Sequence, residues 1–236
     1  MVQKSPTDHD IVDAFLYPLL GKIDKYIPKK VTPNTITFIG FLFGISGSLT
    51  LILIKDPIAL IICSALILLY ISCDCLDGLH ARNTNQTSIL GYYVDVCTDQ
   101  ICTMLFSLAI MIRFDLFSPF FILVFFLRNS INTFAFISKS ITGYILIPKV
   151  GPGAETILYC ILFLLIFFFN DPIFYHFNFT NKNIEKPMLY LGFNNLTMIK
   201  SFFIIYFFTV IKNFSDYIVD TVRFIKNSEK NISTDI

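Results

Sequence analysis

The stretch Asp74–Asp99, DCLDGLHARNTNQTSILGYYVDVCTD, sets four aspartates between two apolar runs, ALILLYIS at 65–72 and QICTMLFSLAIMI at 100–112. The runs read as hydrophobic helix, so the acids stand where a chain built for lipid should carry none. On a helix Asp74 and Asp77 share a face, being three residues apart, and Gly78 and Ala81 continue that stripe. Gly91, Asp95 and Asp99 follow at four-residue spacing and form a second stripe. The segment RNTNQTSIL between them is read as a turn of roughly ten residues joining antiparallel neighbours. The acidic stripes are therefore expected to face each other near one end of the membrane.

A carboxylate inside a bilayer costs about 2.5–3.5 kcal/mol, and four without partners on the order of 10 kcal/mol. Arg82 is one positive charge against four negative ones. Divalent cations are the economical counter-charge. An all-oxygen donor set without Cys or His points to Mg²⁺ or Mn²⁺ rather than zinc. A pair of such ions leaves room for an anionic substrate, and phosphates are the usual companions of these sites. Gly78, Ala81 and Gly91 then keep bulk away where a ligand approaches the backbone. Arg82 offers a planar donor fork suited to a diphosphate, with Thr87 and Ser88 as further partners. Simple helix packing through small residues, a six-span cation channel or transporter, and a catalytically silent scaffold are the rival readings. A channel explains the acids but not the glycines and arginine beside them. A scaffold would be expected to have lost an acid.

The whole chain agrees with a membrane setting. Its 236 residues are 55% hydrophobic and 15% charged, with 27 Phe, and the mean hydropathy is +0.68. Apolar runs near twenty residues each suffice to cross a hydrocarbon core of about 30 Å. Six spans are expected, roughly 34–54, 57–80, 90–112, 115–139, 154–170 and 196–213, with Pro33 and Pro57 at first-turn positions. The fold expectation is thus all-α, an integral membrane six-helix bundle. An amphipathic interfacial helix is expected before it, because Val12, Phe15, Leu16, Leu19, Ile23, Tyr26 and Ile27 recur at helical spacing among charged residues. The expected boundaries are 1–33 for the tail and interfacial helix, 34–213 for the six-span domain and 214–236 for a polar tail. The longest polar connection is 171–195, where Asn178 in NFT is a possible glycan acceptor.

Lysine and arginine gather on the side that holds both termini, including Lys22, Lys25, Lys29, Lys30, Arg82, Lys149, Lys212 and Arg223. That excess predicts cytoplasmic termini and a cytoplasmic 81–89 loop. A net charge of +1 implies no nucleic-acid partner. No cleavable signal peptide is read at the start, so the first span is expected to direct insertion. The six cysteines sit in apolar segments without a CxxC pair and read as small buried side chains.

The run Asp74-x2-Asp77-Gly78-x2-Ala81-Arg82-x8-Gly91-x3-Asp95-x3-Asp99 resembles, without a substitution, the signature of the CDP-alcohol phosphotransferase family. The resemblance implies a dimeric membrane enzyme of phospholipid synthesis with a polar site facing the cytoplasm, in the endoplasmic reticulum or another internal membrane. It would displace CMP from a CDP-linked donor with an alcohol. By the same resemblance Asp74, Asp77, Asp95 and Asp99 would bind two Mg²⁺ or Mn²⁺ ions, with Asp99 also the general base. Gly78, Ala81, Arg82, Ser88 and Gly91 would hold the CDP moiety, together with Asn34 and Thr37 in TPNTIT. VDVCTDQICTM and ARNTNQ are similar to phosphatidylinositol synthases, and the chain length suits a CDP-diacylglycerol donor. FLYPLLGKIDKYIPKKVTPNTITFIGFLFG and GPGAE at 151–155 look more like choline and ethanolamine phosphotransferases, which use diacylglycerol as acceptor.

The acceptor pocket is expected between the fourth and fifth spans. Arg128 and Asn132 share a helical face there, and an intramembrane arginine is a functional candidate by default. The alternative is an ion pair from Arg128 to one of the four aspartates. Glu155 would touch a polar head group or simply sit at a helix N-terminus, where a carboxylate is stabilised. His80, at a variable position of the signature, is expected in a solvated loop.

Overall fold

In the computed structural model, residues 11–142, 152–171, 173–176, 182–193 and 195–234 are described. The chain is mostly helical: α1 (Ile11–Asp24), α2 (Pro33–Leu53), α3 (Ile58–Asn83), α4 (Ile89–Phe114), α5 (Pro119–Thr142), α6 (Pro152–Phe169), α7 (Lys182–Tyr190) and α8 (Met198–Thr234). Among the described residues four helical stretches are long and apolar enough to cross a membrane: Pro33–Leu53, Ile58–Asn83, Ile89–Phe114 and Met198–Lys226. Pro119–Ala135 and Gly153–Phe169 are apolar but shorter, so among the described residues four of the six expected spans have the length and composition to cross a membrane.

Local chemistry sets the helix ends. Thr32 caps α2, its side chain accepting from the Thr35 amide at 3.3 Å, and Pro33 follows where its missing N–H costs nothing. Ser88 caps α4 in the same way, accepting from the Gly91 amide at 2.9 Å. The turn between α3 and α4 is therefore 84–88, half the expected length, and both acid-bearing helices run further toward it. At the other end of α4 the Arg113 guanidinium donates to the carbonyls of Ile54, Lys55 and Asp56 at 3.1, 2.7 and 3.3 Å. That clamp closes the α2–α3 connection over the end of α4.

Helix α2 packs along both α3 and α4 and sets the registry of the acids. A Cβ on Gly40 would lie 2.8 Å from Cys73 Cβ, and one on Gly44 would lie 2.6 Å from Cys102 Sγ. Only a bare backbone permits that approach, and in lipid such close packing replaces the hydrophobic drive that water would give. Against this trio, α1 and α6 lie on α3, and α5 packs on α8. The α5–α6–α8 side is an aromatic core in which Phe121, Phe163 and Phe203 are fully buried, with Phe125 and Phe203 rings 4.8 Å apart.

Two expectations are corrected here. The connection at 171–195 is not plain loop. β1 (Ile173–His176) pairs antiparallel with β2 (Asn195–Thr197), and α7 lies between them in the chain, so the mostly helical fold carries a small two-stranded sheet. The polar tail expected at 214–236 is instead the continuation of α8, unbroken to Thr234. Its residues 214–226 are amphipathic rather than uniformly polar: Tyr217 is buried, and Phe214 packs on the core. Asn178 lies outside the described residues.

Candidate metal and nucleotide site

Helices α3 and α4 bring Asp74, Asp95 and Asp99 together, with one carboxylate oxygen from each lying within 4.8 Å of the others. Oxygens bound to a single Mg²⁺ at about 2.1 Å are at most about 4.2 Å apart, so closure of well under 1 Å would seat all three on one ion. The donors are hard carboxylate oxygens on half-buried side chains. This set fits a divalent cation. Asp77 stands outside the triad. It is buried one turn along α3, and its Oδ2 accepts a hydrogen bond from the Thr37 hydroxyl of α2.

Tyr70 was not singled out by its sequence, yet its hydroxyl donates to Asp99 Oδ1 at 2.6 Å. It lies one turn before Asp74 on the same stripe of α3, which is the signal that would have found it. The contact fixes the rotamer of the last acid.

The residues expected at the nucleotide fall into two groups. Where α2 and α4 begin, a Cβ on Gly91 would sit 3.0 Å from Ser88 Oγ and 3.2 Å from Asn34 Oδ1, so those three meet at one point. On α3 a Cβ on Gly78 would lie 3.3 Å from Arg82 Nη1, which shows the guanidinium folded back over the bare backbone. Arg82 is exposed, and its guanidinium carbon lies 5.8 Å from the centroid of the Tyr17 ring of α1, a cation–π distance. Ala81 lies half-buried between these groups, its carbonyl accepting from the Gln86 amide at 2.9 Å.

His80 is not in a solvated loop. It is buried on α3 with 1% of its surface exposed. Its Nδ1 lies 2.5 Å from Asp24 Oδ1, and its Nε2 lies 3.0 Å from the Val31 carbonyl. Asn83 donates to the other Asp24 oxygen at 2.6 Å, and Gln86 donates to the Lys29 carbonyl at 2.8 Å. Burial pushes the Asp24 carboxyl up, but the hydrogen bonds from Asn83 and His80 and the charge of His80 outweigh it and hold the group below its usual 3.8. The sequence misleads because α3 runs two turns past Asp74, so His80 projects from rigid helix into α1. Around this clasp Leu20, Ile36, Cys75 and Leu76 form a small apolar cluster.

At the expected acceptor pocket, Arg128 and Glu155 bind each other. Arg128 Nε lies 2.5 Å from Glu155 Oε2, and both residues are buried. The ion pair foreseen to an aspartate is thus made across α5 and α6 to a glutamate. Asn132 falls on α5, with its side chain outside the described residues.

The model of the CDP-alcohol phosphatidyltransferase family matches residues 30–192, which contain all four aspartates and the Asn34, Gly78, Arg82, Ser88 and Gly91 positions. Over 166 residues the chain is 30% identical to the CDP-diacylglycerol–serine O-phosphatidyltransferase of Encephalitozoon cuniculi (strain GB-M1), covering 65% of this chain and 42% of that protein. It is 30% identical over 92 residues to cholinephosphotransferase 1 of Mus musculus, covering 36% of this chain and 23% of the relative. The matched region spans less than half the length of these curated relatives. Four apolar helices of spanning length and a family match over most of the sequence make the chain a membrane protein that belongs to the CDP-alcohol phosphatidyltransferase family.

Proposed function

We propose that the chain transfers a substituted phosphate group from a CDP-linked donor to an alcohol and releases CMP. The observation that carries this reading is the convergence of Asp74, Asp95 and Asp99 beside the Gly78–Arg82 face. Asp74, Asp77, Asp95 and Asp99 would hold two Mg²⁺ or Mn²⁺ ions, whose positive charge would stabilise the diphosphate and the departing CMP. Arg82 and the Asn34–Ser88–Gly91 corner bind the CDP moiety, and Thr37 orients Asp77. Asp99, held by Tyr70, takes the proton from the acceptor hydroxyl. The hydroxyl oxygen then forms a bond to the phosphorus attached to the donor's alcohol portion. The bond from that phosphorus to the bridging oxygen breaks, and the electron pair leaves with CMP.

The donor favoured by the Encephalitozoon cuniculi relative, a CDP-diacylglycerol–serine O-phosphatidyltransferase, is CDP-diacylglycerol, with a small alcohol as acceptor. The cholinephosphotransferase match supports the second reading, CDP-choline or CDP-ethanolamine with diacylglycerol. The proposal places α1 at the interface, six helices across the bilayer of an internal membrane, the acids toward the cytoplasm and two copies in a dimer. Domain bounds of 1–33 and 34–213 follow, with 214–234 joined to the last helix. Purified protein in detergent with Mg²⁺ or Mn²⁺ tests the reading: CMP release with one donor–acceptor pair, absent in Asp99→Asn, supports it. Metal and both donors present without CMP release would sink it.

A further inference from the structure

Among the described residues, the Gln100 amide of α4 has no hydrogen-bond partner. Gln100 follows Asp99 on α4, and its Oε1 and Nε2 are both shut from solvent without a hydrogen bond. A buried amide left unpaired keeps its full desolvation penalty, which Met or Leu at this position would avoid. Two turns further along the same face is Ser107, about 10 Å away along the axis. Asn129 of α5 donates from Nδ2 to Ser107 Oγ at 3.2 Å and to the Phe125 carbonyl at 2.8 Å. Its Oδ1 is also buried and without a partner. Gln100 and the Ser107–Asn129 pair thus place uncharged polar side chains two turns apart along one face of α4, a seam whose unused atoms include two acceptors and a donor.

Unsatisfied groups at both ends of one buried amide suit a ligand group that gives and accepts hydrogen bonds, which a hydroxyl does. The seam carries no charge of its own, and the arginine beside Asn129 is bound to Glu155. We propose that Gln100, with Asn129, holds the acceptor alcohol next to Asp99, and that this acceptor carries no phosphate group. The inference rests on the phosphotransferase reading for its chemistry, but the free amide is a property of the fold alone.

The test uses Gln100→Met, which keeps the volume and removes the amide, beside Gln100→Asn. Melting temperature in detergent is measured with and without serine, myo-inositol, dioleoylglycerol and glycerol 3-phosphate. CMP release is measured in parallel with CDP-diacylglycerol or CDP-choline. The expected result is that Gln100→Met melts higher than the unaltered protein when no alcohol is present. A phosphate-free alcohol stabilises the unaltered protein but not this variant. The acceptor KM rises about tenfold, the loss of one hydrogen bond, with the donor KM unchanged. A lower melting temperature in Gln100→Met overturns the inference, because the amide must then have a partner. Stabilisation by glycerol 3-phosphate alone, equal stabilisation of both proteins, or no stabilisation by any alcohol overturns it as well. Absence of CMP release from a protein that an alcohol still stabilises through Gln100 counts against the transferase reading and leaves this one standing.

Discussion

Replacing His80 by alanine should loosen α1 from the site and measurably destabilise the protein. The imidazole makes two contacts in a buried place, 2.5 Å to Asp24 and 3.0 Å to the Val31 carbonyl. Without it the Asp24 carboxylate keeps only Asn83 as a described hydrogen-bond partner, at 2.6 Å. Removing one partner of a buried pair costs about 3–5 kcal/mol, because the other charge stays buried and under-compensated. For a chain of this size that amounts to a fall on the order of 10 °C in melting temperature. Asp24→Asn should cost less, about 1.5–3 kcal/mol, since Asn83 and the ring retain a neutral partner. The double variant His80→Leu/Asp24→Leu should recover most of the loss, because no charge is then stranded. The sign of the pH dependence is fixed by Asp24, whose folded carboxyl lies below its usual 3.8. Its contribution is complete above that value and lost only as pH falls below it through the lower folded value. Unfolding of the four proteins in one detergent, followed at neutral pH and near pH 3, measures all of this. A loss under about 1 kcal/mol in His80→Ala, or strict additivity in the double variant, would refute the clasp.

Four further outcomes follow from the geometry. Asp99→Asn should lower CMP release by about 10²-fold or more while leaving the fold intact, as removal of a general base does. Chelation with EDTA should abolish release in the unaltered protein, and Mg²⁺ or Mn²⁺ should restore it where zinc does not. Tyr70→Phe should reduce kcat with little change in either KM, because its hydroxyl donates to Asp99, the proposed base, at 2.6 Å. Gly44→Ala should cost about 1–3 kcal/mol, since its Cβ would meet Cys102 Sγ at 2.6 Å, and Cys102→Ala should rescue it in a stability assay.

The aspartate spacing carried the site almost unaided. Residues three and four apart on a helix share a face whatever surrounds them, so the two stripes and their confrontation across a short turn were legible from Asp74 to Asp99. Gly91, Ser88 and Asn34 were named from the sequence, and the fold brings the three to one corner. Periodicity could not tell where helices would stop. The segment after 213 is polar enough to read as tail, yet Tyr217 and Phe214 keep it on the core and α8 continues. The 173–197 pairing escaped for the opposite reason, because strands of four and three residues leave no period to read.

What the sequence determined by itself is a membrane chain with a cluster of carboxylate oxygens that fits a divalent cation, because that depends on composition and on spacing within single helices. What only the tertiary structure decided is which side chains meet across helices. It gave Thr37 to Asp77, Tyr70 to Asp99, His80 to Asp24 and Arg128 to Glu155. Each of those partners lies between 27 and 56 residues away along the chain. The relative rotation and depth of two helices, set here by glycines that let α2 sink between its neighbours, have no local signature to read.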